Sequence, residues 1–284
     1  MKIGFIGAGR VGCTFGKYLS DNGIEITGYY SRNAEHAREA AEFTDTCYFE
    51  DVSVLVSKSD TVFLTVSDDA IASVFEEVAG KTDVTGKIFC HTSGSMTSKV
   101  FTDSDYEVFG FSIHPIYAVS DRFTAYQNFQ DAFITIEGSE EKLDVLTSII
   151  SASGLKYKLI TADDKPKYHA AAVYSSNLVC GLYAASIRLL EECQFTEEEA
   201  EKALSGLFMG NAKGIMDRGV YAQLTGPVER CDIETVQNHL NVLSPEDLEV
   251  YIPLSKEVLK VAEVKNADRD YSAMESLLRK GGAL

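Results

Sequence analysis

Gly7-Ala8-Gly9-Arg10-Val11-Gly12 sets three glycines at the spacing with which a backbone turn closes on a pyrophosphate. In that pattern Gly7 permits the tight turn, Gly9 lets the main chain approach the phosphates, and Gly12 lets the following helix pack close to the strand. The helix N-terminus, at Arg10 and Val11, then offers unpaired N–H groups to the anion. After the next strand, where a site for a free ribose 2′-hydroxyl carries a carboxylate, the chain reads Tyr30-Ser31-Arg32-Asn33. Ser31, Arg32 and Asn33 donate hydrogen bonds, so a 2′-phosphate is the expected ligand and NADP(H), rather than NAD(H), the expected cofactor. Arg10 adds a second positive group; the alternative for Arg32 is a solvated loop arginine.

Other chemistry-bearing residues follow apolar runs. Val66, Ser67 and Asp68 end the run that begins at Asp60, Thr92 and Ser93 follow Lys87–His91, and His114-Pro115 follows Glu107–Ile113. Ligands of doubly wound sheets lie outside the carboxyl ends of strands, which places these residues beside the cofactor. Thr92 and Ser93 either bond to cofactor or substrate or cap a helix. Ser93 lies outside a G-x-S-x-G elbow, which argues against a serine hydrolase. His114 either donates to a substrate carbonyl or carboxylate or braces the turn before its proline.

Further on, His169 and the triplet Ser175-Ser176-Asn177 interrupt an otherwise apolar stretch, Lys167–Cys193. Polar groups in such a helix find partners or cost stability, so they mark either a site or helix–helix contacts. Eight residues apart, His169 and Asn177 fall on roughly the same side of a helix. His169 is the preferred proton donor, with His114 in reserve. Thr225 and Arg230 stand in the string Gln223–Arg230, where Arg230 either grips a substrate carboxylate or pairs with Asp232.

The elements that must position these groups are readable from pattern. Strands are expected at Lys2–Ile6, Ile24–Tyr29, 60–66, Lys87–His91, Glu107–Ile113, Asp131–Glu137 and Leu155–Ile160, with a helix from about Ser139 to Ser153. The strand pattern ends at Thr161, and the polar stretch through Pro166 marks the boundary. The expected fold is α/β: an amino-terminal Rossmann domain, doubly wound, over 1–161, and an all-α carboxyl-terminal domain over 162–284 for substrate and dimerisation. Lys167–Cys193, apolar nearly all round, is expected to be buried on most faces. Thr196 with Glu199 forms a capping box before Glu197–Met216, Asp232 caps Ile233–Val242, and Ser244-Pro245 opens a helix to about Glu263.

Composition removes several classes. The 284 residues carry a net charge of −17 with no basic run, against nucleic-acid binding. No uninterrupted apolar run approaching the roughly 20 residues of a membrane span is expected, nor a secretory signal before the glycine loop. Six scattered cysteines without a Cys-x-x-Cys pair suggest reduced, buried thiols in a cytoplasmic protein, and five dispersed histidines suggest no metal site.

The order Gly7–Gly12, His91-Thr92-Ser93-Gly94, His114-Pro115, Tyr168–Ala172 through Asn177, and Leu224–Pro227 with Arg230, Asp232 and His239 resembles the Rossmann-like oxidoreductases that carry a DUF2520 domain. These belong to the 6-phosphogluconate dehydrogenase-like group, with ketopantoate and pyrroline-5-carboxylate reductases as relatives. The resemblance implies an NADP(H)-dependent reductase of a small 2-oxo acid, ketopantoate foremost, acting on an anionic substrate in a cleft between two domains. A cyclic-imine reductase and a non-catalytic NADP-binding regulator are the alternatives. It also implies a homodimer through the helical domain. Reductases of this group carry a lysine four residues before the helix asparagine; that position is Val173 here, so only Asn177 carries over. For the remaining roles the expectation is His169 with Asn177 for the proton, and Arg230, Ser176 and Thr225 for the substrate.

Overall fold

The computed structural model describes residues 1–281. They form two compact units, Met1–Asn177 and a second from Leu178 onward. The expected boundary after Thr161 thus moves to Asn177, because the helix from Lys165 is tied to the sheet of the first unit by Lys165 itself.

In the first unit, strands and helices alternate: β1 (Ile3–Ile6), α1 (Arg10–Asp21), β2 (Ile26–Tyr30), α2 (Ala34–Thr44), β3 (Cys47–Tyr48), α3 (Val52–Ser57), β4 (Thr61–Leu64) and α4 (Asp68–Ala79). Then come β5 (Ile88–His91), α5 (Lys99–Thr102), β6 (Phe109–Ile116), β7 (Phe133–Gly138), α6 (Leu143–Ala152), β8 (Lys156–Leu159) and α7 (Lys165–Tyr174). The sheet order is β3-β2-β1-β4-β5-β6-β7-β8. All neighbours run parallel except β6 and β7. The winding reverses between β1 and β4, which opens a crevice at their carboxyl ends. Alternation along the strands feeds two cores. Phe5, Phe63 and Cys90 join Phe15, Tyr29 and Phe129 on one face, while Ile6, Val62, Leu64 and Phe89 join Phe75 and Phe101 on the other.

Strand β6 runs further than its apolar pattern predicts. Its pairing with β5 stops at Ser112, whereas β7 continues opposite His114, Pro115 and Ile116. Beyond Ser112 one side of β6 is an edge, where a proline without an N–H is tolerated. His114 therefore sits within a strand rather than in a turn after one.

The second unit contains α8 (Asn177–Glu192, its first residue closing the first unit), α9 (Glu197–Arg218), α10 (Val220–Gln223), α11 (Pro227–Arg230), α12 (Ile233–Val242), α13 (Pro245–Lys265) and α14 (Ser272–Gly281). The starts follow the sequence signals. Thr196 and Glu199 make the reciprocal capping box, Asp232 accepts from the Thr235 N–H, and Ser244 accepts from the Asp247 N–H. Val236, Leu240, Ile252, Leu259, Met274 and Leu278 form its core.

Four expectations are corrected. The single helix Lys167–Cys193 is two, α7 and α8, parted at Ser175-Ser176, where the Ser176 hydroxyl bonds back to the Ala172 carbonyl at 2.7 Å and bends the run. Nor is it buried within one chain: α8 has no buried residue, and Tyr174, Leu178 and Leu182 are exposed. The helical stretch Ala162–Glu192 is also long and apolar enough by composition to cross a membrane, contrary to the reading that no such run exists. Finally, Cys13 and Cys90 are buried, but Cys47, Cys180 and Cys193 are exposed.

Candidate functional site

Two cavities open at the carboxyl edge of the sheet in the first unit. The smaller, about 370 Å³, is lined by Gly7, Ala8, Gly9, Ser31, Arg32, Val66 and Ser67 of the expected cofactor residues. Tyr30, Thr65, Val74, Glu77 and Val78 complete much of its wall. Gly7 has φ +104°, and a Cβ there would meet the Thr65 carbonyl oxygen at 2.6 Å. A Cβ on Gly12 would lie 2.7 Å from the Gly7 carbonyl oxygen, so both glycines are required by backbone contact. Gly9 differs: nothing lies within 4 Å of its missing Cβ, and α1 begins there without a side-chain cap. The N–H groups of Arg10, Val11 and Gly12 are thus the free donors of a helix start. A backbone stripped of side chains at a helix N-terminus fits a dinucleotide pyrophosphate.

Of the remaining cofactor candidates, Arg10 is exposed, and Asn33 caps α2, its side-chain oxygen accepting from the Glu35 and His36 N–H groups. Asp68 accepts from the Ser93 hydroxyl at 2.6 Å and from Ser95 at 3.3 Å. That bond joins the start of α4, beside the cofactor cavity, to the loop after β5. Thr92 is half-buried in the same loop.

The larger cavity, about 750 Å³, is lined by His114, Tyr168, His169, Ser175, Ser176 and Asn177 on its polar side, with Pro115, Ile116, Ala171, Ala172 and Val173 among the apolar residues. The structure thus gathers His114, His169, Ser176 and Asn177 around one space. Gly94 makes room for them: a Cβ on it would meet His169 Cδ2 at 2.7 Å and His114 Nε2 at 3.0 Å. Burial, with the nearby Lys165 charge, pushes His114 down to about 4, while burial pushes Tyr168 up. Tyr168 Oη and His114 Nδ1 lie 2.5 Å apart, and with the phenol as donor the neutral ring accepts at Nδ1. His114 then carries its own proton on Nε2, beside Gly94.

Beneath the cavity lies Lys165, fully buried. Its ammonium donates to Ser112 Oγ at 2.6 Å and to the Ser93 carbonyl at 3.3 Å. Burial lowers it to about 8, opposed by the negative charges of Glu137 and Asp68. Ser93 is bonded at every polar atom, since its N–H also donates to His91 Nδ1 at 3.2 Å and its hydroxyl accepts from the Ser95 and Met96 N–H groups. That bond fixes the His91 proton on Nε2, which donates to the Thr97 carbonyl at 3.2 Å, and burial takes His91 down to about 4. The loop is thereby a rigid floor held by a buried cation.

Sequence reading gives Tyr168 a place in the family string but no role, and leaves Lys165 with Lys167 as lysines before the helix that could reach the cleft; the structure singles out Lys165. A signal existed: Lys165, Tyr168 and His169 stand at i, i+3 and i+4, one face of the first turns of α7. In the second unit, Arg230 and Thr225 are exposed, and neither lines either cavity. The carboxylate of Asp232 is engaged with Thr235 at 2.8 Å, and among the described residues Arg230 forms no ion pair.

Residues 2–92 match the family model of NADP oxidoreductases described as coenzyme F420-dependent, and residues 132–258 match the domain of unknown function DUF2520. Among solved structures, protein TM1727 from Thermotoga maritima is 26% identical with a TM-score of 0.72, over 93% of this chain and 99% of its own. BF3122 from Bacteroides fragilis, described as an NADP oxidoreductase, is 24% identical with a TM-score of 0.68, over 91% and 98%. A pyrroline-5-carboxylate reductase from Coxiella burnetii shares the fold at 16% identity and a TM-score of 0.59, over 99% and 97%. No curated protein matches the chain. The glycine cradle and these matches agree on an NADP(H) cofactor, and the chain is similar to Rossmann-type NADP-dependent oxidoreductases over its amino-terminal part and to the DUF2520 domain over the stretch that follows.

Proposed function

We propose that the protein reduces the ketone of a small branched 2-oxo acid, ketopantoate foremost, in the larger cavity. The observation that carries this reading is the neutral His114, held by Tyr168 with its Nε2–H beside Gly94 in a cavity with His169. NADPH supplies the hydride. A fixed N–H donor stabilises charge developing on a carbonyl oxygen without itself losing a proton. His169 delivers the proton to that oxygen, and Ser176 and Asn177 orient the substrate's polar end. Lys165 acts from below, through Ser93 and Ser112, as a buried positive charge favouring the transient alkoxide. Ile116, Ala172 and Val173 suit a branched alkyl body. Ser31 and Arg32 hold the 2′-phosphate.

The test is NADPH consumption by the purified protein with ketopantoate, beside NADH and a cyclic imine. Rapid turnover preferring NADPH supports the reading; turnover of the imine alone overturns it. A second reading, imine reduction, is favoured by one feature: a histidine held neutral gives no proton, and an imine that arrives protonated needs none. Insensitivity of turnover to replacement of both His114 and His169 identifies that case.

The protein works as a cytoplasmic homodimer on this reading, the helical unit covering its exposed apolar residues with a second copy. Leu178, Leu182, Leu207, Phe208, Met209 and Met216 are the ones so covered. A monomeric mass in light scattering at micromolar concentration contradicts this.

A further inference from the structure

The cofactor cavity holds a carboxylate where a 2′-phosphate is expected. Arg32, at the end of β2, and Glu77, on α4, line the same space of about 370 Å³. Glu77 is not free to close on Arg32, because Lys81, one turn further along, holds its carboxylate at 2.5 Å. The order Glu then Lys at i, i+4 is the favourable one on a helix, and Lys81 stands just past the carboxyl end of α4, where its charge is also favoured. Arg32 has no ion-pair partner among the described residues, yet its charge reaches Glu77 and contributes to holding that carboxyl below its usual range, after the Lys81 bond. Two opposite charges therefore line one cavity, Arg32 and Glu77, and a third, Lys81, is bound to Glu77. Asp51 also lies within the field of Lys81, but its carboxylate is engaged in capping α3 through the Ser53 N–H at 2.8 Å.

The geometry points to Glu77 and Lys81 as an adjustable counter-ion pair that sets cofactor selectivity: Glu77 competes with the 2′-phosphate for Arg32, and Lys81 restrains Glu77. The inference rests on the placement of the 2′-phosphate at Arg32. Lys81 acts only through Glu77 and does not touch the phosphate. The pair thus moderates the preference for NADP(H) over NAD(H) without altering the glycine cradle, which reads the pyrophosphate common to both cofactors.

Calorimetric binding of adenosine 2′,5′-bisphosphate and of AMP separates these roles, since the two ligands differ only in the 2′-phosphate. All the residues involved are exposed, so the variants fold. Glu77→Gln is expected to tighten the bisphosphate about three- to ten-fold at low salt and leave AMP within about two-fold, the gain shrinking as salt screens the charges. Lys81→Ala is expected to weaken the bisphosphate by a similar factor. The combination Glu77→Gln with Lys81→Ala should bind like Glu77→Gln alone, because the restraint has nothing left to act on. A double variant markedly weaker than Glu77→Gln overturns the proposal by showing that Lys81 contacts the phosphate directly. Equal shifts for both ligands, or none for Glu77→Gln, also overturn it. Arg32→Ala distinguishes the underlying reading: if it leaves bisphosphate binding intact, the 2′-phosphate does not sit at Arg32 and the pair has no role in selectivity.

Discussion

The glycine cradle and the histidine cavity share one edge of one sheet but are built by opposite means. The cradle works through what is missing: Gly7, Gly9 and Gly12 bring bare backbone to the ligand, and any added atom meets backbone or fills the ligand's space. The cavity works through what has been buried at a cost: an ammonium, two imidazoles and a phenol, each needing partners that other elements provide. A cradle of the first kind binds whatever carries a pyrophosphate, so it says little about substrate. A cavity of the second kind tunes charge, and its chemistry depends on every partner being present.

The largest effect should follow from removing the buried cation. Lys165→Met leaves the Ser112 hydroxyl oxygen without its donor and the Ser93 carbonyl with only the Ser112 hydroxyl, and removes the positive charge below the ketone. Turnover should fall by about 10²–10³, comparable to losing one preorganised donor to a developing oxyanion. NADPH affinity should stay within about three-fold, because the cradle lies on β1 and α1. Equal losses in turnover and cofactor affinity would mean the two regions are not independent. Gly9→Ala is the mirror-image variant. Its methyl meets no protein atom, so the melting temperature should hold, while NADPH affinity drops by about 100-fold as the pyrophosphate loses its approach to the backbone. Fluorescence titration and thermal melting together check that split.

The same contrast explains what was legible in the sequence. The cradle is contiguous, six residues whose spacing is itself the geometry, and three of them line one cavity with four of the expected cofactor residues from other loops, Ser31, Arg32, Val66 and Ser67. The strands were legible where burial on both faces made them apolar; β3, two residues long, left no pattern. The cavity was only half legible. His114, His169, Ser176 and Asn177 stood out as polar residues in apolar surroundings, but the bonds from Lys165 to Ser93 and Ser112 span 72 and 53 positions, and no local pattern encodes such a contact. The reading of Lys167–Cys193 as one core helix failed for a related reason: periodicity reports an apolar face, not what covers it.

A smaller effect should come from Tyr168→Phe. Without the phenol, His114 loses the donor that keeps its proton on Nε2, and the ring is free to take the other tautomer. Turnover should fall about ten-fold, short of the 10²–10³ effect of removing a donor outright, with NADPH affinity unchanged. A drop in cofactor affinity instead would place Tyr168 in the cradle's half of the site.

The smallest effects are in pH dependence, where the cavity should show two signatures of opposite sign and the cradle none. His91 and His114 sit at about 4 in the native state against an ordinary 6.5. Between those values the unfolded chain binds protons that the native chain refuses, so stability is at its full value above 6.5 and falls as pH drops toward 4. Lys165 sits at about 8 against 10.5, so between those values the unfolded chain again holds the extra proton, and this group's contribution to stability rises with pH. Turnover moves the other way over the same interval, because deprotonating Lys165 removes the charge that favours the alkoxide. Melting temperatures and kcat measured from pH 4 to 10 at constant ionic strength should therefore diverge above 8, one rising as the other falls. Lys165→Met should abolish both trends there, and His91→Gln with His114→Gln should flatten the acid limb. Parallel loss of stability and turnover above pH 8 would show instead that the alkaline limb reports unfolding, and that the buried ammonium is a structural bolt without influence on the reaction.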